Sequence, residues 1–319
     1  MTAVDIHTEM KRFILYNLLF LFQITSARRV IGWYNGIPDF RNEVFPWDMY
    51  THIRYGGPVV TKAGYASCNH TEMDAFVEEA HAHNVSVLWA PNIAADFVRN
   101  QHVPPGYFLS IGAAVKECNI DGIEVDYEFS DAPLGVVSHE ASNAYSHFLA
   151  TLQRTIQKPV GACVSLPGLA PGNWLLGWLP WVNATMLNRG DIAWVSTMSY
   201  HWNPEGDIFA WKKDVWVLLD VWGIHPERIN LGVPLFSKEW REGKLVGEPS
   251  WASLSTHCPN VDPSVNVCNA TVFVGKNMMT LIGELARRRH LGGLFPWELS
   301  YDSYEANNTL VPFLLKGFM

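Results

Sequence analysis

Cationic side chains are in short supply in this sequence. Lys and Arg number 23 against 31 Asp and Glu, a formal net charge of -8 at neutral pH. Such a balance supplies no basic surface for nucleic acid or an anionic membrane, and a neutral or cationic ligand is expected. Cysteine is also sparse, with five in 319 residues. No C-x-x-C pair or clustered His/Cys spacing is present, so no metal site is expected, and nothing calls for a cofactor. Apolar runs are short as well: Phe13 to Phe22 cannot span a bilayer. No internal repeat or low-complexity tract interrupts the chain. What remains is 48% apolar and 17% charged, enough for one large core.

The start of the chain reads as a secretory leader. Lys11 and Arg12 precede the apolar run, and Thr25-Ser26-Ala27 offers small residues for cleavage, giving a leader over 1–27 and one domain over 28–319. The nine residues before Met10 are atypical of a leader, and Met10 is an alternative start. N-x-S/T sequons stand at Asn69, Asn84, Asn183, Asn269 and Asn307, and with the leader they predict an N-glycosylated product of the secretory pathway. Its destination is outside the cell or a lysosome-like compartment, and no membrane attachment is expected once the leader is removed. Cys258 and Cys268 flank a Pro/Asn/Asp/Ser-rich loop and are the favoured disulfide. Cys68, Cys118 and Cys163 then supply one more bridge and one buried thiol.

Eight strands alternate with helices or helix-length connections. The strands are expected at Arg29–Tyr34, His52–Gly56, Val85–Ala90, Asp121–Glu128, Val160–Leu166, Ile192–Tyr200, Ile229–Pro234 and Gly292–Trp297. Helices are expected from Thr71 to His83 (with Thr71 as a cap), Tyr107 to Cys118, Glu140 to Gln157, Phe209 to Trp222 (ended by Gly223) and Lys276 to His290. This order predicts an α/β fold, a single (β/α)8 TIM barrel, which typically needs about 250 residues.

One stretch stands apart, Asp121-Gly122-Ile123-Glu124-Val125-Asp126-Tyr127-Glu128. Alternation along a strand points Glu124, Asp126 and Glu128 to one face and Ile123, Val125 and Tyr127 to the other. Three carboxylates on one strand face repel each other and are costly to bury. The arrangement suits acid catalysis, because crowding holds one carboxyl protonated while its neighbour stays ionised.

The stretch resembles the D-G-x-D-x-D-x-E signature on the fourth barrel strand of glycoside hydrolase family 18, the chitinases and their relatives. It matches at Asp121, Gly122, Asp126 and Glu128 and departs at Glu124, where Asp is usual. Met198-Ser199-Tyr200 is similar to the family's M-x-Y on the sixth strand, Leu231-Gly232-Val233-Pro234 to its L-G-V-P, and Trp297 to its eighth-strand Trp. Departures are Trp89-Ala90-Pro91-Asn92 where S-x-G-G is common, and His201 where Asp is usual. The connection from Leu235 to Val274 is too short for the full insertion domain of many chitinases, so a more open site is expected.

The resemblance implies Glu128 as the general acid, with the substrate's own N-acetyl oxygen attacking the anomeric carbon. Asp126 would orient the acetamide, and Tyr200 would donate a hydrogen bond to it. Asp121 and Glu124 would lie deeper and set the charge state of Asp126. Trp297 would form the floor under the reacting sugar. Met198, His201, Trp202, and Trp33 or Tyr34 would line the same cleft. The implied product is a secreted, monomeric hydrolase of β-1,4-linked N-acetylglucosamine in chitin, chitooligosaccharides or the chitobiose core of N-glycans. A lectin of the same fold, binding such glycans without cleaving them, is the alternative, and Glu124 and His201 are the departures that favour it.

Overall fold

A computed structural model describes residues 28–36, 38–56, 59–60, 66–67, 70–91, 93, 103–127, 138–166, 181–200, 208–258, 261–262, 264–304 and 308–319. The leader, Cys68, Asn69, Glu128, His201, Trp202 and Asn307 lie outside the described residues.

Eight parallel strands close into a barrel in chain order: β1 Arg29–Tyr34, β2 His52–Tyr55, β3 Ser86–Trp89, β4 Gly122–Val125, β5 Val160–Val164, β6 Trp194–Thr197, β7 Ile229–Pro234 and β8 Gly293–Trp297, which pairs back with β1. The (β/α)8 architecture is therefore present. Around it lie α1 His70–Ala82, α2 Tyr107–Glu117, α3 His139–Ile156, α4 Ala184–Arg189, α5 Phe209–Trp216, α6 Trp251–His257, α7 Lys276–Arg288 and α8 Val311–Phe318. Thr71 falls inside α1, not before it. The helix predicted to reach Trp222 turns from α-helix to π-helix over Val217–Val221, and Gly223, at φ 67°, ends it where a side chain would be strained.

Strand parity separates two apolar layers. Val30, Ile53, Val87, Ile123, Val125, Val195, Leu231 and Leu294 face outward into the main core shared with the helices. Such burial is worth about 1.5–3 kcal/mol for each large aliphatic side chain, which is why these strands read as apolar runs. Ile31, Leu88, Cys163, Trp194 and Phe295 face inward and form a second cluster inside the barrel, with Trp33 and Trp297 packed on it. The indole of Trp194 occupies the space in front of Gly161: a Cβ there would lie 2.1 Å from Trp194 Nε1.

The β7–β8 connection holds a small antiparallel sheet of Lys238–Arg241, Lys244–Gly247, Val267–Cys268 and Thr271–Val272, together with α6. Cys258 and Cys268 are joined by the predicted disulfide. Cys118 is also disulfide-bonded, and Cys163 is a buried thiol outside any disulfide. Asn84 and Asn269 are exposed at positive φ, 59° and 54°. Asn183 instead caps α4, accepting from the Met186 N–H while its amide donates to Asn143. Among the described residues, no helix is long and apolar enough to cross a membrane.

Candidate active site

The C-terminal ends of β1, β4, β6 and β8 converge on one mouth of the barrel, the end where such barrels carry their chemistry. Inward parity on β1 and β8 brings Trp33 and Trp297 together, ring centroids 6.4 Å apart and edge to face. The backbone after β6 carries Tyr200 to within 5.8 Å of Trp297, centroid to centroid, at an interplanar angle of 35°. Phe236, two residues beyond β7, meets Trp297 at 5.2 Å and Tyr200 at 5.8 Å, and Tyr301 meets Trp297 at 5.2 Å and Phe236 at 6.2 Å. The result is an aromatic wall built from four separate segments.

The polar side of the mouth comes from β2 and β4. Asp126 directly follows β4, and its Oδ2 lies 3.5 Å from Nη2 of Arg54, a fully buried guanidinium on β2. Arg54 also sits over Trp33, Cζ 3.5 Å from the ring centroid, and its Nη1 donates to Cys163 Sγ at 3.5 Å. Glu124, two residues below Asp126 and fully buried, uses one oxygen: Oε1 accepts from Trp194 Nε1 at 2.9 Å and from Ser196 Oγ at 2.5 Å. Ser196 in turn accepts from Asn230, whose carbonyl oxygen is held by Arg29 Nε.

Burial pushes the Glu124 carboxyl above its ordinary range, opposed by Arg54 and by the two hydrogen bonds. Burial also raises the Tyr200 phenol well above its usual value, so it stays a neutral donor at any working pH. Asp126 Oδ1 and Tyr200 Oη are buried and have no hydrogen-bond partner among the described residues. Buried polar atoms without partners are rare and costly in folded proteins. Two of them at a mouth walled by aromatic rings are what a polar, ring-bearing ligand would satisfy. Glu298, beside Trp297, accepts from Asn35 and Ser300 at the rim.

Asp126, Tyr200, Trp297 and Trp33 thus come together as expected, and Glu124 lies directly beneath them. Three other expectations are corrected. Tyr34 points outward, stacked on Phe76 with centroids 5.0 Å apart and buried in the strand–helix layer, because adjacent strand residues face opposite ways. Asp121 is not beneath Asp126. It sits before β4, where Oδ2 takes His81 Nε2 and the Val87 N–H, both at 2.8 Å. Met198 is half-buried and packs against the main core, its N–H bonded to the Val164 carbonyl, so it positions Tyr200 through the backbone. Sequence reading missed Arg54, Phe236 and Tyr301.

The sequence matches no protein-family model and no curated protein. Solved structures do match along nearly the whole chain. A chitinase from Bacteroides thetaiotaomicron is 19% identical over 92% of this chain and 97% of that one, at a TM-score of 0.71. A family 18 chitinase from Cycas revoluta, in complex with (GlcNAc)3, is 15% identical over 90% and 98%, at 0.65. A chitinase-like agglutinin from Robinia pseudoacacia is 12% identical over 91% and 99%, at 0.66. The chain therefore has the fold of the family 18 chitinases, a fold shared by hydrolases and by an agglutinin.

Proposed function

We propose that the chain is a retaining glycosidase of β-1,4-linked N-acetylglucosamine, acting on chitin, chitooligosaccharides or the chitobiose core of N-glycans. The observation that carries this reading is the pair of buried atoms without a hydrogen-bond partner among the described residues, Asp126 Oδ1 and Tyr200 Oη, at the aromatic mouth formed with Trp297 and Trp33. A pyranose stacked on Trp297 would present its acetamide to both. Tyr200 donates to the acetamide oxygen and steadies it for attack on the anomeric carbon. Asp126 orients the acetamide N–H and offsets the positive charge of the cyclic intermediate. Glu128, two residues further along the signature, protonates the leaving oxygen and then activates water for the return step. We place the protein, as a monomer, in the secretory pathway, with residues 1–27 as the leader and glycans on its sequons.

A non-catalytic lectin is the second reading, supported by the fold shared with the Robinia agglutinin. One experiment separates the two: turnover of fluorogenic chitobiose and chitotriose by the parent and by Glu128→Gln from pH 4 to 8. The expected result is parental hydrolysis reduced about 10²–10⁴-fold in the variant. Oligosaccharide binding without parental hydrolysis would establish the lectin instead.

A further inference from the structure

Two carboxylates stacked on one strand inside a barrel need a rule for which of them carries charge, and the side chains around them supply one. Glu124 is faced by Arg54 on β2, Asp126 on its own strand, and Trp194 and Ser196 on β6, with Tyr145 of α3 and Tyr200 close enough to be coupled electrostatically. Arg29 of β1 is also coupled to its charge state, although three hydrogen bonds, through Asn230 and Ser196, stand between them. The contacts are unequal. Both described donors reaching Glu124 converge on Oε1, and Oε2 is buried without a partner among the described residues. That is the pattern of a neutral carboxylic acid, one oxygen accepting and the other carrying the proton. Arg54 places its Nη2 on Asp126 instead.

We propose that Arg54 is a positioning residue of the site: it is the fixed counter-ion of Asp126, while Glu124 serves as a neutral hydrogen-bonded acid that holds Trp194 and Ser196. Arg54 is itself clamped, with Cζ over the Trp33 ring and Nη1 on Cys163. It therefore couples the aromatic wall to the carboxylate: Trp33, Arg54 and Asp126 form one stack from the sugar-facing ring to the acetamide-facing oxygen. A flexible ammonium would retain the charge but could not fork between Asp126 and Cys163. This role for Arg54 rests on the glycosidase reading; the division of charge between Asp126 and Glu124 does not.

The charge assignment is tested without substrate by comparing the melting temperatures of the parent and Glu124→Gln from pH 4 to 7. A carboxyl kept neutral in the fold ionises in the unfolded chain above about pH 4.3. Its contribution to stability is therefore present at pH 4 and is lost as pH rises. Glutamine has no such dependence, so the difference, variant minus parent, should move upward from pH 4 to 7. A difference that moves downward would make Glu124 the ionised partner of Arg54 and overturn the assignment.

The positioning role is tested by the kinetics of Arg54→Met and Arg54→Lys. A misplaced catalytic group typically costs about 10²-fold. Loss of that size in kcat for Arg54→Met, with KM changed only a few-fold and at least tenfold recovered in Arg54→Lys, is expected. Folded variants with parental kcat would refute the role. If Arg54→Met fails to fold, Arg54→Lys decides, with reduced kcat at near-parental KM expected. A parent that hydrolyses nothing would sink the glycosidase reading, while the melting series would still decide where the charge lies.

Discussion

Replacing Tyr200 with Phe should move stability and activity in opposite directions. The ring contacts survive: Phe keeps the packing on Trp297 and Phe236, each 5.8 Å away between centroids. Only Oη is lost, a buried atom with no partner among the described residues. An unsatisfied buried polar group costs roughly 1–3 kcal/mol, so its removal should leave the fold unchanged or more stable. For a domain of this size each kcal/mol corresponds to about 2 °C in melting temperature. A rise of up to several degrees is expected, with no fall. If Oη is the donor that steadies the reacting acetamide, its loss should lower kcat by about 10²–10³-fold, the typical effect of removing one preorganised donor. The assay pairs a thermal melt without ligand with kcat and KM on chitotriose. A drop in melting temperature with activity retained would refute the reasoning and make Tyr200 a wall residue.

Two further outcomes follow from packing and burial. Gly161→Ala should destabilise by about 1–3 kcal/mol, because the new Cβ would meet Trp194 Nε1 at 2.1 Å. The displaced indole would also release Glu124, so a melt and a kinetic assay should both register the change, and a variant matching the parent in both would contradict the packing. Burial lifts Asp302 to about 6 even though its carboxylate accepts from the N–H groups of Ser303, Leu310 and Val311. A raised carboxyl contributes stability below its unfolded pKa that is lost as pH rises through the folded one. About two units corresponds to a loss on the order of 3 kcal/mol between pH 4 and about 7. Asp302→Asn sacrifices an acceptor at the start of α8 and should be less stable at pH 4. Its deficit should shrink toward pH 7, and a deficit constant with pH would remove Asp302 as the cause.

How far the site could be read in advance turns on strand parity, applied fully or only in part. Parity alone puts Glu124 and Asp126 on one face, and that face is the barrel interior. The same rule, carried to Asp121, puts it with Ile123 on the opposite parity. That parity argues against the relay with Asp126 that the resemblance implies, and in the fold Asp121 binds His81 of α1 instead. Parity also separates Trp33 from Tyr34, since neighbours on a strand cannot line the same cleft. Applied to His52–Tyr55, it places Arg54 opposite Ile53, hence inward, and a cation at an inward position of a barrel strand is a readable signal. Arg54 was overlooked because arginine in a short strand ordinarily reads as solvated.

Other features had no such signal. Phe236 and Tyr301 reach Trp297 from the connections around β8, where no period constrains the side chains. The asymmetric hydrogen bonding of Glu124 depends on Trp194 and Ser196, 70 and 72 residues away along the chain. A sequence can thus reveal which acids share a face, because that is a local consequence of the pleat. Which of them is charged is decided by the neighbouring strands. In this barrel the cation on β2 and the two donors on β6 divide those roles, and that division makes Arg54 and Glu124 the side chains whose substitution is most informative about the chemistry.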